Sequence, residues 1–272
     1  MASSGLPKFL LLIALAVAPS GPALAAPCGD DSSGFSAWVE DFKPDALAQG
    51  ISQRTVDSAL GNVSYSRATI RLDRNQRVFR QSFEQFSGRM IPPRMARAKS
   101  QLSRNASLFA RIEEQFGVPK EIVGAIWGLE TDFGAVSSNN SVLSAVATLA
   151  YDCRRSDFFR GQLIDALRVI ERGDLTAAQM IGGLHGEIGQ TQFLPSSYAA
   201  FAIDFDGNGR ADLIRSTADV LASTANYMKG HGWKTGADWA PGSANFDVIK
   251  EWNKSDVYSR TVAEFARRLA EG

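Results

Sequence analysis

Apolar positions recur at helical spacing along nearly the whole chain, and convincing alternating strands are scarce. The pattern predicts a mainly α protein. Phe35, Trp38, Val39 and Phe42 form one stripe. Ser52 is placed to cap a short helix that stops at Gly61. Val78, Phe79, Phe83 and Phe86 form another stripe, ended by Gly88. Pro92 and Pro93 open a helical region running to Phe116, with Gly117 as its stop. Pro119 then begins a helix at a position where a missing N–H is harmless. Residues 143–151 and 158–170 read as two more helices, and Thr176 with Gln179 as a capping box. Pro195 starts a helix to about residue 203. Ser216 with Asp219 opens one that ends at Gly230, with Leu221, Ala225 and Met228 on one face. Residues 236–245 are a Gly/Pro/Ser-rich connection, and a last helix covers residues 255–269.

One position breaks the pattern. Ile122, Val123, Ile126 and Leu129 recur at helical spacing, and the same face continues into Glu130. Burial penalises the ionised form of a carboxyl group, and the negative pole of a helix about to end at Gly134 acts in the same direction. A carboxyl group kept protonated near neutral pH suits general-acid chemistry. The alternative is a Glu at a helix end that bends to solvent.

Composition narrows the classes. Residues 9–18 are an apolar run after Lys8, followed by the small-x-small site Ala23-Leu24-Ala25. This reads as an export signal, residues 1–25, too short to span a bilayer. Residues 26–271 are then expected to form one domain. The chain holds 29 basic and 29 acidic residues, a balance that argues against nucleic acid or an anionic membrane as partner. In an exported protein the two cysteines, Cys28 and Cys153, suggest a disulfide, with two independent buried thiols as the alternative.

Asp204-Phe-Asp-Gly-Asn-Gly-Arg-Ala-Asp212 reads like the first nine positions of an EF-hand calcium loop spanning residues 204–215. Asp204, Asp206, Asn208 and Asp212 offer side-chain oxygens, Arg210 a backbone carbonyl, and Gly209 stands at the sharp turn. Position twelve is Arg215 rather than a bidentate acid, and Asp219 is the available substitute. A structural calcium is the only cofactor this sequence suggests; a metal-free Asp/Gly turn is the competing reading. His185 and His231 lack metal-ligand spacing.

A second polar stretch runs from Gly186 to Tyr198, dense in amides and hydroxyls suited to an uncharged sugar. Six segments occur in order: Trp127-Gly-Leu-Glu-Thr-Asp-Phe-Gly134, Leu149-Ala-Tyr-Asp-Cys-Arg-Arg155, Gly189-Gln-Thr-Gln-Phe-Leu-Pro-Ser196, Asp204-Phe-Asp-Gly-Asn-Gly209, Ala225-Asn-Tyr227 and Trp252-Asn253. Together they resemble the lytic murein transglycosylases of the membrane-bound lytic transglycosylase B family, here in a soluble secreted form, from about residue 35 to 269.

The resemblance implies a lysozyme-like helical domain with an N-terminal helical extension. It implies an exported, periplasmic enzyme that binds peptidoglycan glycan strands as a monomer or in cell-wall enzyme complexes, without a membrane span. The reaction implied is non-hydrolytic cleavage of the MurNAc–GlcNAc β-1,4 bond, leaving 1,6-anhydromuramic acid ends. Glu130 takes both proton steps, so no paired carboxylate is needed. Asp132 should point elsewhere. Gln192, Tyr227, Arg154, Arg155, Asn253 and Tyr258 match positions of the substrate groove. Glu187 departs from many members, which carry a small residue there. It could assist Glu130 electrostatically, handle a water in a muramidase-type hydrolase, or partner one of the arginines. A catalytically inactive peptidoglycan-binding scaffold is the reading outside enzymology.

Overall fold

A computed structural model describes residues 27–75 and 81–272. The expected export signal, and Val78 and Phe79 of one stripe, lie outside the described residues. Thirteen α-helices, one 3-10 turn at Ala177–Gln179 opened by the Thr176–Gln179 capping box, and one two-residue antiparallel strand pair make up the described elements. This is the mainly α, lysozyme-like class expected.

The N-terminal helices are α1 (Phe35–Ala48), α2 (Gln53–Leu60), α3 (Arg67–Arg74) and α4 (Phe83–Met90). Ser52, Ser66 and Ser82 each cap the helix that follows by accepting an amide three residues on. Helix α4 runs past Gly88, where the sequence suggested a stop. The region expected to be one helix from Pro92 to Phe116 is two, α5 (Pro92–Arg104) and α6 (Ala106–Phe116). The break falls at Asn105, whose amide side chain donates to the Gln101 carbonyl and competes with the helical ladder.

Helix α7 (Lys120–Thr131) is the buried centre. Nine of its twelve residues are buried, and it packs against α13 (Asp256–Ala270), α5, α6 and α11 (Thr217–Gly230). Such surroundings on all sides require close approach at some positions. At Gly128 a Cβ would come within 2.7 Å of the Phe133 ring. The helix ends abruptly, with Asp132, Phe133 and Gly134 all at positive φ. That run turns the chain back and leaves Glu130 in the last helical turn.

Helices α8 (Val142–Tyr151), α9 (Ser156–Glu171), α10 (Pro195–Phe201) and α12 (Ala244–Trp252) complete the set. β1 (Asn140–Ser141) pairs with β2 (Ile181–Gly182). Cys28 and Cys153 form a disulfide with Cα atoms 5.0 Å apart, which settles the choice against independent thiols. The bridge fastens the N-terminal arm to the turn after α8, and the Gly29 amide donates to the Tyr151 carbonyl at 2.9 Å beside it. No helix among the described residues is long and apolar enough to cross a membrane.

Candidate active site

Three helices meet at Glu130. Trp252, last residue of α12, donates its indole N–H to Glu130 Oε1 at 3.0 Å. Tyr258, in the first turn of α13, donates its hydroxyl to the same oxygen at 2.5 Å. Burial raises the Glu130 pKa above the carboxylate range, the two donors oppose it, and the charge of Glu187 adds to the rise. In a neutral carboxyl group the doubly bonded oxygen accepts and the other carries the proton. Two donors on Oε1 therefore leave Oε2 as the proton-bearing oxygen.

A cavity of about 320 Å³ opens beside this group, lined by Glu130, Glu187, Gln192, Tyr227, Trp252 and Asn253 among others. A larger one, about 720 Å³, lies between α2 and the segment leading to β2 and contains none of these residues. The chemistry, not the volume, identifies the smaller cavity as the candidate site.

The loop before α10 forms one wall. Ile188 and Phe193 exchange two backbone hydrogen bonds, 2.7 and 2.9 Å, closing a tight turn. Gln192 at its tip has φ 55°, a conformation non-glycine residues adopt only under constraint, and its side-chain amide donates to the Gly189 carbonyl at 2.8 Å. Gln190 pins the loop to α7: its Oε1 accepts the Trp127 indole at 2.8 Å, and its carbonyl accepts the Thr131 hydroxyl at 2.5 Å.

Of the residues expected at the groove, Gln192, Tyr227, Asn253 and Glu187 share the cavity with Glu130. Tyr227 donates its hydroxyl to the Glu251 carbonyl at 2.8 Å and stacks on His231, so it reaches the cavity with its ring. Tyr258 is buried, turned onto Glu130 rather than along the cavity wall. Asp132 points away and pairs with Arg97 at 2.9 Å, as its place on the helix implied.

Arg154 and Arg155 do not line the cavity. Both close on Asp73 of α3, with Arg154 Nε donating to its Oδ2 at 2.8 Å. Burial alone would raise the Asp73 pKa; the two guanidinium groups outweigh it and hold the carboxyl below its usual value. An isolated buried carboxylate would be costly, and this pairing accounts for where the arginines go. Nor does Glu187 meet either arginine. Its Oε2 accepts the His185 amide at 3.0 Å.

In the loop of residues 204–215, Asp204, Asp206 and Asp219 each bring an oxygen within 4.8 Å of the others. Asp204 accepts amides from Gly207, Asn208 and Gly209, a preorganised turn. This oxygen-only trio suits a hard divalent cation. Of the expected carboxylates, Asp204 and Asp206 belong to this set and one does not. Asp212 is outside it, its Oδ1 accepting the Ile214 and Arg215 amides and its Oδ2 facing Arg210 and Arg215 at 3.5 and 3.9 Å. Asp219, the substitute for the acid missing at position twelve, joins the set, with burial raising its pKa despite three backbone donors.

Trp252 was not singled out as a partner of Glu130. The sequence carries one signal for it: a donor-only side chain next to Asn253, within the Trp252-Asn253 segment.

Residues 34–243 match the family described as Transglycosylase SLT domain. The membrane-bound lytic murein transglycosylase B of Escherichia coli (strain K12) is 38% identical over 127 residues, 46% of this chain and 35% of that protein, so the match spans about a third of the relative's length. SltB3 of Pseudomonas aeruginosa, solved in complex with NAG-NAM-pentapeptide, superposes with a TM-score of 0.83 at 29% identity, covering 88% of this chain and 80% of that one. The Escherichia coli lytic transglycosylase Slt35, solved in complex with calcium, gives a TM-score of 0.76 at 23% identity, covering 91% and 96%.

Proposed function

The chain belongs to the transglycosylase SLT domain family, and from that premise we propose that it is an exported lytic transglycosylase cleaving the MurNAc–GlcNAc β-1,4 bond of peptidoglycan, with Glu130 as its single general acid and base. The observation that carries this reading is the environment of Glu130: burial raises its pKa and both donors sit on Oε1.

In the first step the Oε2 proton passes to the leaving glycosidic oxygen as its bond to C1 breaks. Glu130 is then a carboxylate, and the Tyr258 and Trp252 donors stabilise that form. In the second step it takes the proton of the muramic acid's 6-hydroxyl as O6 bonds to C1. The proton returns to Glu130, and a 1,6-anhydro ring closes without water. Gln192, Tyr227 and Asn253 supply the amide and aromatic surface against which the sugars are held.

A muramidase is the competing chemistry, and the cavity does hold a second carboxylate. Glu187, however, has one oxygen engaged by a backbone amide rather than offered to a water. Digestion of purified peptidoglycan in ¹⁸O-water separates the two. A lytic transglycosylase leaves no ¹⁸O at the new muramic acid ends; a hydrolase labels each of them. We also propose a structural calcium held by Asp204, Asp206 and Asp219, supported by their convergence. The apolar run and small-x-small site near the N-terminus, together with the Cys28–Cys153 disulfide, support an oxidising, extracytoplasmic location.

A further inference from the structure

Glu187 is the chemical oddity of the cavity. Among the described residues none lining that space is basic, yet it contains Glu130, Glu187 and Glu251. Glu251 lies toward solvent and pairs with Lys254 at 2.5 Å. Glu187 is only 28% exposed and is held from the opposite direction. Its Oε2 accepts the His185 amide at 3.0 Å, and its Oε1 stands 3.6 Å from His185 Nδ1. The other ring nitrogen, Nε2, lies 3.9 Å from Oδ1 of the buried Asp73. Asp73 in turn is clamped by Arg154 and Arg155. A line of alternating groups thus runs from the cavity through an imidazole to a buried ion cluster beside the disulfide.

The backbone is shaped for this carboxylate. A Cβ on Gly183 would fall 2.1 Å from Glu187 Oε2, and one on Gly182 would fall 1.9 Å from the Glu187 carbonyl oxygen. The bare position at Gly183 leaves room for the Glu187 carboxylate, while Gly182 admits the close approach of the residue 187 backbone. A solvated surface glutamate would need neither the space beside Gly183 nor the tether.

We propose that Glu187 is a positioning residue of the reaction: tethered through His185 to the Asp73–Arg154–Arg155 cluster, it fixes a negative charge in the Glu130 cavity that favours the proton-carrying form of Glu130 and the positive charge growing at C1. The proposal rests on the lytic transglycosylase reading above. Burial would push the Glu187 pKa up, but its His185 hydrogen bonds outweigh this and keep it below the usual carboxylate value. Glu187 therefore gives up its proton at lower pH than Glu130 does. The titratable groups facing Glu130 among the described residues are Tyr258 from α13, Tyr227 from α11, Glu251 from α12 and Glu187 from the loop, so Glu187 is the less exposed of the two further carboxylates. In a water-poor site a fixed charge of this kind acts on the transition state without reorganisation.

The test is a carbon-13 titration of the Glu130 carboxyl, assigned by its loss in Glu130→Gln, in wild type, Glu187→Gln and Glu187→Ala. It needs no turnover. Both variants are expected to move the Glu130 titration to lower pH, with Glu187→Asp restoring it in part. In turnover, Glu187→Gln is expected to lower kcat about tenfold with KM unchanged, and to shift the alkaline limb of the rate profile downward. The alanine variant, matching the small residue expected here in related sequences, stands in if the glutamine variant does not fold. An unmoved Glu130 titration, or a loss confined to KM, overturns the proposal. Absence of anhydro products from wild type would instead overturn the functional reading, while the titration still reports on Glu187.

Discussion

The Tyr258 hydroxyl donates to Glu130 Oε1 at 2.5 Å across 128 residues of chain, joining the first turn of α13 to the last turn of α7. Burial and the neighbouring Glu130 charge push the Tyr258 phenol well above its ordinary value, so it remains a donor throughout the working range. The contact marks Oε1 as the acceptor of Glu130 and leaves the proton to Oε2.

Removing that donor tests the division of labour. Tyr258→Phe is expected to lower kcat about ten- to a hundredfold, the range for losing one hydrogen bond to a charged group. Tyr258 favours the ionised form of Glu130, so its loss should raise the Glu130 pKa further. The alkaline limb of the kcat/KM profile then moves to higher pH while the rate falls. A rate loss without that shift would make Tyr258 a packing residue only.

Glu130 should cost stability at neutral pH. Its folded pKa is raised above the reference value of 4.5, so its contribution is fully favourable only below that pH and is lost as pH rises through the folded value. Glu130→Gln is therefore expected to melt higher than wild type at pH 7, by roughly 1 kcal/mol or about 2–4 °C. The difference should vanish below about pH 4. Thermal melts at the two pH values check both parts.

The Cys28–Cys153 bridge closes a separation of 125 residues. Its removal in the Cys28→Ser, Cys153→Ser double variant is expected to cost up to about 4–5 kcal/mol in the chain-entropy picture. Denaturant melts measure this, and a loss below about 1 kcal/mol would mean that the arm is held chiefly by its other contacts.

Calcium should act on stability, not on the chemistry. Saturating calcium, about a hundredfold above its Kd, is expected to stabilise by about 2–3 kcal/mol, with chelator reversing the effect. Asp219→Asn should abolish the response, because Asp219 supplies the third converging carboxylate. An unchanged melting temperature with calcium would make the 204–215 loop a metal-free turn.

Much of this was legible because the relevant physics is local. Helix spacing, serine caps and the Glu130 position are written in residues three or four apart, and the structure places them accordingly. Helix α3 was not read, since its eight residues carry three arginines and bury only Thr69 and Asp73, leaving no apolar stripe. Helix α12 was missed because it begins inside the Gly/Pro/Ser-rich connection. The destination of Arg154 and Arg155 depends on Asp73, some 80 residues away, and no pattern near either partner announces the pairing. The same holds for Trp252 and Glu130, separated by 122 residues. The convergence of Asp219 was foreshadowed by Arg215 at position twelve, where the loop lacks its acid; the turning away of Asp212 was not.

The central claim is that Glu130 alone performs both proton transfers. Mass spectrometry of the products from purified peptidoglycan, digested with wild type and with folded Glu130→Gln, tests it most directly. Muropeptides one water lighter than the hydrolytic products, ending in 1,6-anhydromuramic acid and absent with the variant, are the expected result. Anhydro products formed equally by Glu130→Gln, or reducing ends from wild type, would contradict it.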